Sequence, residues 1–169
     1  MRSRIITLLA VCLLAIGFGS FLTANPAYAA GDKFCFGGAC LNAWNGGPYV
    51  NVYTGQGYVA NDTFSVVTTA QGYKGLYFFG GGGFNKECIA DYNNNSGDAR
   101  AGLYGDCHDV GGVAWGANFT IVTANCGAGE EAFKNVHWGG YLAPAGNSNG
   151  DAFYLNSPSE HCFSYTGNN

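Results

Sequence analysis

The sequence predicts an all-β protein, and three observations lead to this fold class. Glycine is abundant, with 28 in 169 residues, and glycine disfavours helices but accepts the backbone angles of tight turns. After residue 30, no stretch of about a dozen residues keeps apolar side chains at helical spacing without an interrupting glycine. Aromatic and β-branched residues instead fill short runs between turn signals, which is typical of strands.

Turn signals with a physical basis divide the chain into these strands. Gly37-Gly38, Gly139-Gly140 and Asn149-Gly150 combine residues that tolerate positive φ. The segments between such signals give twelve predicted strands, at residues 33–36, 40–44, 49–54, 63–69, 75–80, 88–92, 101–104, 119–123, 132–137, 141–143, 152–156 and 162–166.

The predicted strands form three similar sets of four. Leu41, Ile89 and Leu142 align in the second strand of each set. In the third strand, the aligned segments are residues 50–53, 101–104 and 152–155. The three units cover about residues 32–70, 71–124 and 125–169. Repeated units bury a face against their neighbours, and three such units close a small barrel with hairpins capping one end.

Residues 1–29 are predicted to be a signal peptide, so that the single folded domain comprises residues 30–169. Arg2 and Arg4 precede a long apolar run, and Ala27-Tyr28-Ala29 has the small residues that signal peptidase requires. The alternative is an uncleaved membrane anchor, since the run is long enough to span a bilayer. Glycine and proline breaks favour cleavage, and we expect a secreted, extracellular protein.

Cleavage changes both the charge and the cysteine count. It removes two arginines and no acidic residue, so the net charge falls from −4 to −6. An acidic chain argues against nucleic acid or an anionic membrane as partner. One of the seven cysteines is also removed, and the even remainder indicates three disulfides in an exported protein. Cys88 and Cys107 lie on successive predicted strands, where a bridge would pin a hairpin.

Three short motifs resemble those of the ricin B-chain lectins, whose fold is the β-trefoil. The family repeats Cys-Leu-Asp on one strand, Leu-Trp-x-Cys after a polar loop, and a closing Gln-x-Trp. Cys40-Leu41-Asn42 and Cys88-Ile89-Ala90 are similar to the first motif, and Leu103-Tyr104 followed by Cys107 is similar to the second. The closing motif is replaced by segments 62–64, 117–119 and 161–163, which implies a divergent, functionally altered member. Kunitz-type inhibitors share the trefoil and match less well.

This resemblance implies the disulfide pairs and part of the core. The implied pairs are Cys88 with Cys107, Cys126 with Cys162, and Cys35 with Cys40. The counterparts of the family tryptophan, which should meet in the barrel core, are Phe64, Phe119 and Phe163. Gly37-Gly38 and Gly139-Gly140 should turn equivalent hairpins, since each pair follows an aromatic residue, Phe36 or Trp138.

The resemblance also implies a carbohydrate site in the first unit. Its residues would be Asn42, Asn51, Tyr53 and Asn61, with Trp44 alongside as a stacking face. Asn42 replaces the family aspartate, so weak binding is expected. The other units are expected not to bind, because the first three positions hold Ala90, Leu103 and Gly105 in the second unit and Ala143, Phe153 and Leu155 in the third.

Other motifs are better explained as turns. Residues 146–150 fit Gly-x-Ser-x-Gly, but turns flank them and a strand, not a helix, follows. Residues 91–98 alternate oxygen ligands as a calcium loop does, yet the sixth position is Ser96 and the twelfth Gly102. His108 lacks further metal ligands nearby. We therefore expect no metal, no cofactor and no catalytic site, that is, a protein that is not an enzyme.

Two functions follow from these observations. The first is a secreted carbohydrate-binding module with weak or altered, lectin-like binding. The second is a protein–protein interaction subunit, either an inhibitor or a component of a secreted toxin or lectin complex. The expected partner is thus a glycan or a secreted protein.

Overall fold

The computed structural model describes residues 31–43, 48–55, 63–78, 87–91, 99–105, 107 and 116–166. All of the regular structure in these ranges is β, and each strand begins and ends within two residues of a predicted one. The strands are β1 (Lys33–Phe36), β2 (Ala39–Ala43), β3 (Val50–Tyr53), β4 (Phe64–Thr68), β5 (Lys74–Phe78), β6 (Ile89–Asp91), β7 (Ala101–Leu103), β8 (Phe119–Val122), β9 (Glu130–Asn135), β10 (Tyr141–Pro144), β11 (Phe153–Ser157) and β12 (Phe163–Thr166). Within the described ranges, we find no helix with the length and apolar character needed to cross a membrane.

Six strands close into a barrel. The order β1-β12-β9-β8-β5-β4 is hydrogen-bonded throughout. A bridge between Asp32 and Phe64 joins the two ends, with the Phe64 amide donating to the Asp32 carbonyl at 3.0 Å. Closure leaves these six strands without a free edge.

The other six strands form three hairpins, β2–β3, β6–β7 and β10–β11. Each hairpin lies between the first and the fourth strand of one unit, which is the β-trefoil arrangement predicted from the sequence. Three isolated bridges join the hairpins in a cycle, pairing Tyr49 with Gly102, Arg100 with Tyr154, and Ala152 with Asn51. The bridges make Tyr49, Arg100 and Ala152 equivalent, and likewise Asn51, Gly102 and Tyr154.

This equivalence corrects the alignment of the third strands. The counterpart of Val50 is Phe153, not Ala152, because Phe153 and Leu155 are the residues that face the core. The position of Asn51 is therefore held by Gly102 and Tyr154, and the position of Tyr53 by Tyr104 and Asn156. Leu103, Gly105, Phe153 and Leu155 were wrongly assigned to these positions.

The core is built from phenylalanines. Phe64, Phe119 and Phe163 are all at most 1% exposed and belong to one buried cluster, as predicted. Phe34 and Phe133 connect them through edge-to-face or tilted contacts, with ring centroids 6.4 Å apart for Phe34 and Phe64 and 5.9 Å apart for Phe133 and Phe163. Such aromatic pairs stabilise a core beyond their buried area.

The two glycine pairs do turn equivalent hairpins, but with different geometry. Gly37 and Gly38 both have positive φ, 50° and 84°, which is the two-residue type I′ turn between β1 and β2. Between β9 and β10 the turn is longer, and Trp138 lies within it. Phe36 packs on Phe163 and Phe78 pairs with Phe64, whereas the residue that pairs with Phe119 is Asn135. The equivalent of Phe36 in the third unit is therefore Asn135 and not Trp138.

The three disulfides join the pairs that the resemblance implies. Cys35 and Cys40 lie opposite each other on β1 and β2. The other two bridges link Cys88 with Cys107 and Cys126 with Cys162, whose Cα atoms are 5.4 and 5.5 Å apart. Three intramolecular disulfides are typical of proteins from an oxidising, extracellular-type environment.

Candidate functional site

The first hairpin brings three of the predicted carbohydrate residues together. Asn42 on β2 and Asn51 on β3 are directly opposite each other, and they are only 4% and 7% exposed. Tyr53, on the same face of β3, is half-buried. Trp44 and Asn61 lie outside the described residues.

Strand alternation explains why these side chains share a face. Val50 and Val52 are fully buried in the main core. Successive side chains of a strand point to opposite faces, so Tyr49, Asn51 and Tyr53 lie together on the outer face. We call these three residues the outer row.

Gly55 leaves room for one aromatic ring of the outer row. The Tyr53 ring folds back against Gly55, where any Cβ atom would overlap the phenol. A glycine is thus needed for this ring position, and the half-buried phenol stays beside the outer face of β3.

The Asn42–Asn51 pair is specific to the first unit. The equivalent cross-strand pair is Ala90 and Gly102 in the second unit, and Ala143 and Tyr154 in the third. The trefoil therefore does not need amides at this position. A buried polar atom without a partner costs roughly 1–3 kcal/mol, and among the described residues the Asn51 Oδ1 atom is buried without a hydrogen-bond partner.

Arg100 extends this surface from the second unit. Its guanidinium carbon lies 4.1 Å from the centroid of the Tyr49 ring, within the range of a cation–π interaction. Both residues are half-buried. Sequence analysis missed them, because their contact depends on the bridge between Tyr49 and Gly102, which joins two different units.

The β10–β11 loop holds β3 from the other side. The Val52 amide donates to the Asp151 carbonyl and the Gly150 amide donates to the Val52 carbonyl, both at 2.8 Å. The Asp151 carboxylate accepts the Ser148 amide at 2.8 Å. Residues 146–150 thus form a hairpin loop, in agreement with the prediction for the Gly-x-Ser-x-Gly string.

A second polar cluster lies in the third unit. Tyr141 occupies the position of Cys40 and Cys88, and its hydroxyl donates to the Glu160 carboxylate at 3.0 Å. This hydrogen bond, then partial burial and the negative charge of Glu160, raise the pKa of Tyr141. The contact joins β10 to the segment before β12, so its role is explained by the fold.

The histidines and the acidic residues show no metal geometry in the described part of the chain. His161 packs edge-to-face on Phe36 and Phe163, at centroid distances of 4.4 and 5.2 Å, and burial lowers its pKa. His108 and residues 92–98 lie outside the described ranges. Within those ranges, no group of three or more His, Cys, Asp or Glu residues could hold a metal ion.

Comparison with known proteins agrees with the topology. No family model matches the sequence, and no curated protein matches it. Among solved structures, the chain is similar to one described as the crystal structure of a designed threefold-symmetric protein, ThreeFoil. The TM-score is 0.58 at 18% sequence identity, and the match covers 79% of this chain and 96% of that one. At this identity the likeness shows the fold alone, and the chain is a β-trefoil protein with three disulfides.

Proposed function

We propose that this protein is a secreted, non-catalytic binding module that binds a glycan weakly at the outer face of its first hairpin. The observation that carries the proposal is the buried Asn42–Asn51 pair. The other two hairpins have Ala90 with Gly102 and Ala143 with Tyr154 at the same positions, so the amides are not explained by the needs of the fold.

The chemistry of the outer row suits a sugar. Asparagine amides both donate and accept hydrogen bonds, as hydroxyl groups require. The rings of Tyr49 and Tyr53 on either side of Asn51 offer apolar surface with a polar tip. A bridging water would satisfy the Asn51 Oδ1 atom, which is buried among the described residues.

The proposal predicts that Tyr53 contributes more to sugar affinity than its structural counterpart Tyr104 does. A glycan array probed with the mature protein first identifies a binding sugar. We then expect Tyr53→Ala to weaken binding of that sugar roughly tenfold, in line with the loss of an aromatic contact. Tyr104→Ala removes the equivalent tyrosine of the second unit, which is 45% exposed, and should leave the affinity unchanged.

Two results would contradict the proposal. One is an equal loss of affinity in both tyrosine variants, which would show that sugar binding is not specific to the first hairpin. The other is a blank array together with a stoichiometric protein partner captured from culture supernatant, which would favour the protein-interaction subunit instead.

A further inference from the structure

We propose that the glycan bound by the first hairpin is acidic, and that Arg100 recognises a carboxylate or sulfate group on it. This inference rests on the proposed function and adds the class of ligand. It concerns the surface formed by Tyr49, Asn51, Arg100 and Tyr154, which we call the hairpin face.

The position of Arg100 does not follow from the needs of the trefoil. Its equivalents are Tyr49 in the first unit and Ala152 in the third, which are both uncharged. Of the three units, only the second therefore has a cation at this position. It lies in a chain that is acidic overall, with 11 acidic residues against 7 basic ones.

The Tyr49 ring lies against the guanidinium group of Arg100. Arg100 stacks on Tyr49 at 4.1 Å and pairs across the strands with Tyr154. Gly102, which pairs with Tyr49, contributes no side chain to this contact. A guanidinium that stacks by its face keeps its N–H donors in the plane of its edges, where they match the two oxygens of a carboxylate or sulfate.

Asn51 places a neutral polar group near this cation. It is two residues from Tyr49 on the same face, and it pairs with Ala152 of the third unit. Among the described residues, the hairpin face therefore combines the Arg100 guanidinium, the rings of Tyr49 and Tyr154, and the Asn51 Oδ1 atom, which has no hydrogen-bond partner there.

The test compares matched acidic and neutral sugars on the full mature protein. Affinities are measured for one oligosaccharide with and without its carboxylate, and for another with and without its sulfate. We expect the wild type to prefer each acidic form by roughly tenfold or more, as charge-assisted hydrogen bonds are about twice as strong as neutral ones. The two pairs show which anionic group is recognised.

Substitutions assign this preference to a residue. Arg100→Gln should abolish the preference for the acidic sugar. Arg100→Lys keeps the positive charge and a cation–π contact with Tyr49 but loses the paired N–H donors of the guanidinium, so it should retain part of the preference. Lys134→Gln is the matched control, since Lys134 lies over the Tyr141 ring at 5.8 Å in the third unit, and it should change nothing. Thermal melting checks that each variant is folded.

The outcomes separate the two proposals. Equal binding of neutral and acidic sugars by wild type and Arg100→Gln would overturn the role of Arg100 and leave the glycan module standing. Loss of the preference in Lys134→Gln but not in Arg100→Gln would move the acidic-sugar site to the third unit and contradict the inference. No binding of any sugar would overturn both proposals.

Discussion

Asn135 shows that a single buried amide can replace an aromatic residue of this core. It faces Phe119 across the strands, as Phe78 faces Phe64, and it is fully buried. Its Nδ2 atom donates to the Gly116 carbonyl at 2.6 Å, and its Oδ1 atom accepts the amides of His137 and Trp138 at 3.0 Å each. Because all three bonds are made, this polar group does not carry the penalty of an unsatisfied one.

His161 is the residue whose ionisation should affect stability. It packs on Phe36 and Phe163, and burial lowers its pKa below the ordinary value of 6.5. The unfolded chain therefore binds a proton more readily than the folded one does. The stability that depends on neutral His161 is complete above about pH 6.5 and is lost as the pH falls towards the lower folded-state value.

We expect His161→Phe to reduce this acid sensitivity. The free energy of unfolding in urea is measured for both proteins between about pH 7.5 and 5.5, the range in which a histidine of ordinary pKa titrates. The wild type should lose more stability than the variant does over this range. Burial raises the pKa of Glu87 and so acts in the opposite direction, which makes the difference between the two proteins the relevant quantity.

His137→Phe is the control for that comparison. It removes an exposed histidine and should keep the acid sensitivity of the wild type. Parallel curves for the wild type and His161→Phe would show that the half-buried imidazole does not govern stability at acid pH.

At the level of elements, the strands were predictable because glycine turns and aromatic runs are local features. The bounds of β1, for example, agree with the prediction in full. The third strand of the third unit was misplaced by one residue, since residues 152–155 were aligned as a block, although only Phe153 and Leu155 face the core. The Tyr49–Arg100 contact could not be predicted, because pairing between units leaves no local pattern.

The fourth strand of each unit supplies an equivalent phenylalanine, which leads to a prediction of stability. Phe119 is 1% exposed and packs edge-to-face on Phe133 at 6.3 Å. We expect Phe119→Ala to lower the free energy of unfolding by about 3–5 kcal/mol, because a cavity is left in the core. Urea unfolding under non-reducing conditions measures this change.

A surface position on the same strand provides the comparison. Thr120 is exposed, so Thr120→Ala should change the stability by only about 0.5 kcal/mol. If Phe119→Ala were as stable as Thr120→Ala, the conclusion that Phe119 stabilises the barrel core would be wrong.

At the level of the whole molecule, one threefold frame carries three different hairpins. The barrel and the buried phenylalanines repeat, whereas the outer cross-strand pair is Asn42–Asn51 in one hairpin and Ala90–Gly102 in another. The second hairpin therefore serves as an internal control, because it shows that the trefoil forms with alanine and glycine at the positions of Asn42 and Asn51.

The central claim, that the first hairpin binds the ligand, is tested most directly by giving it the residues of the second. The double variant Asn42→Ala/Asn51→Gly should stay within about 1 kcal/mol of the wild type, since glycine weakens a strand but an unsatisfied amide is removed. Calorimetric titration with the sugar found on the array should show binding by the wild type and none by this folded variant. Unchanged affinity in the folded double variant would contradict the claim.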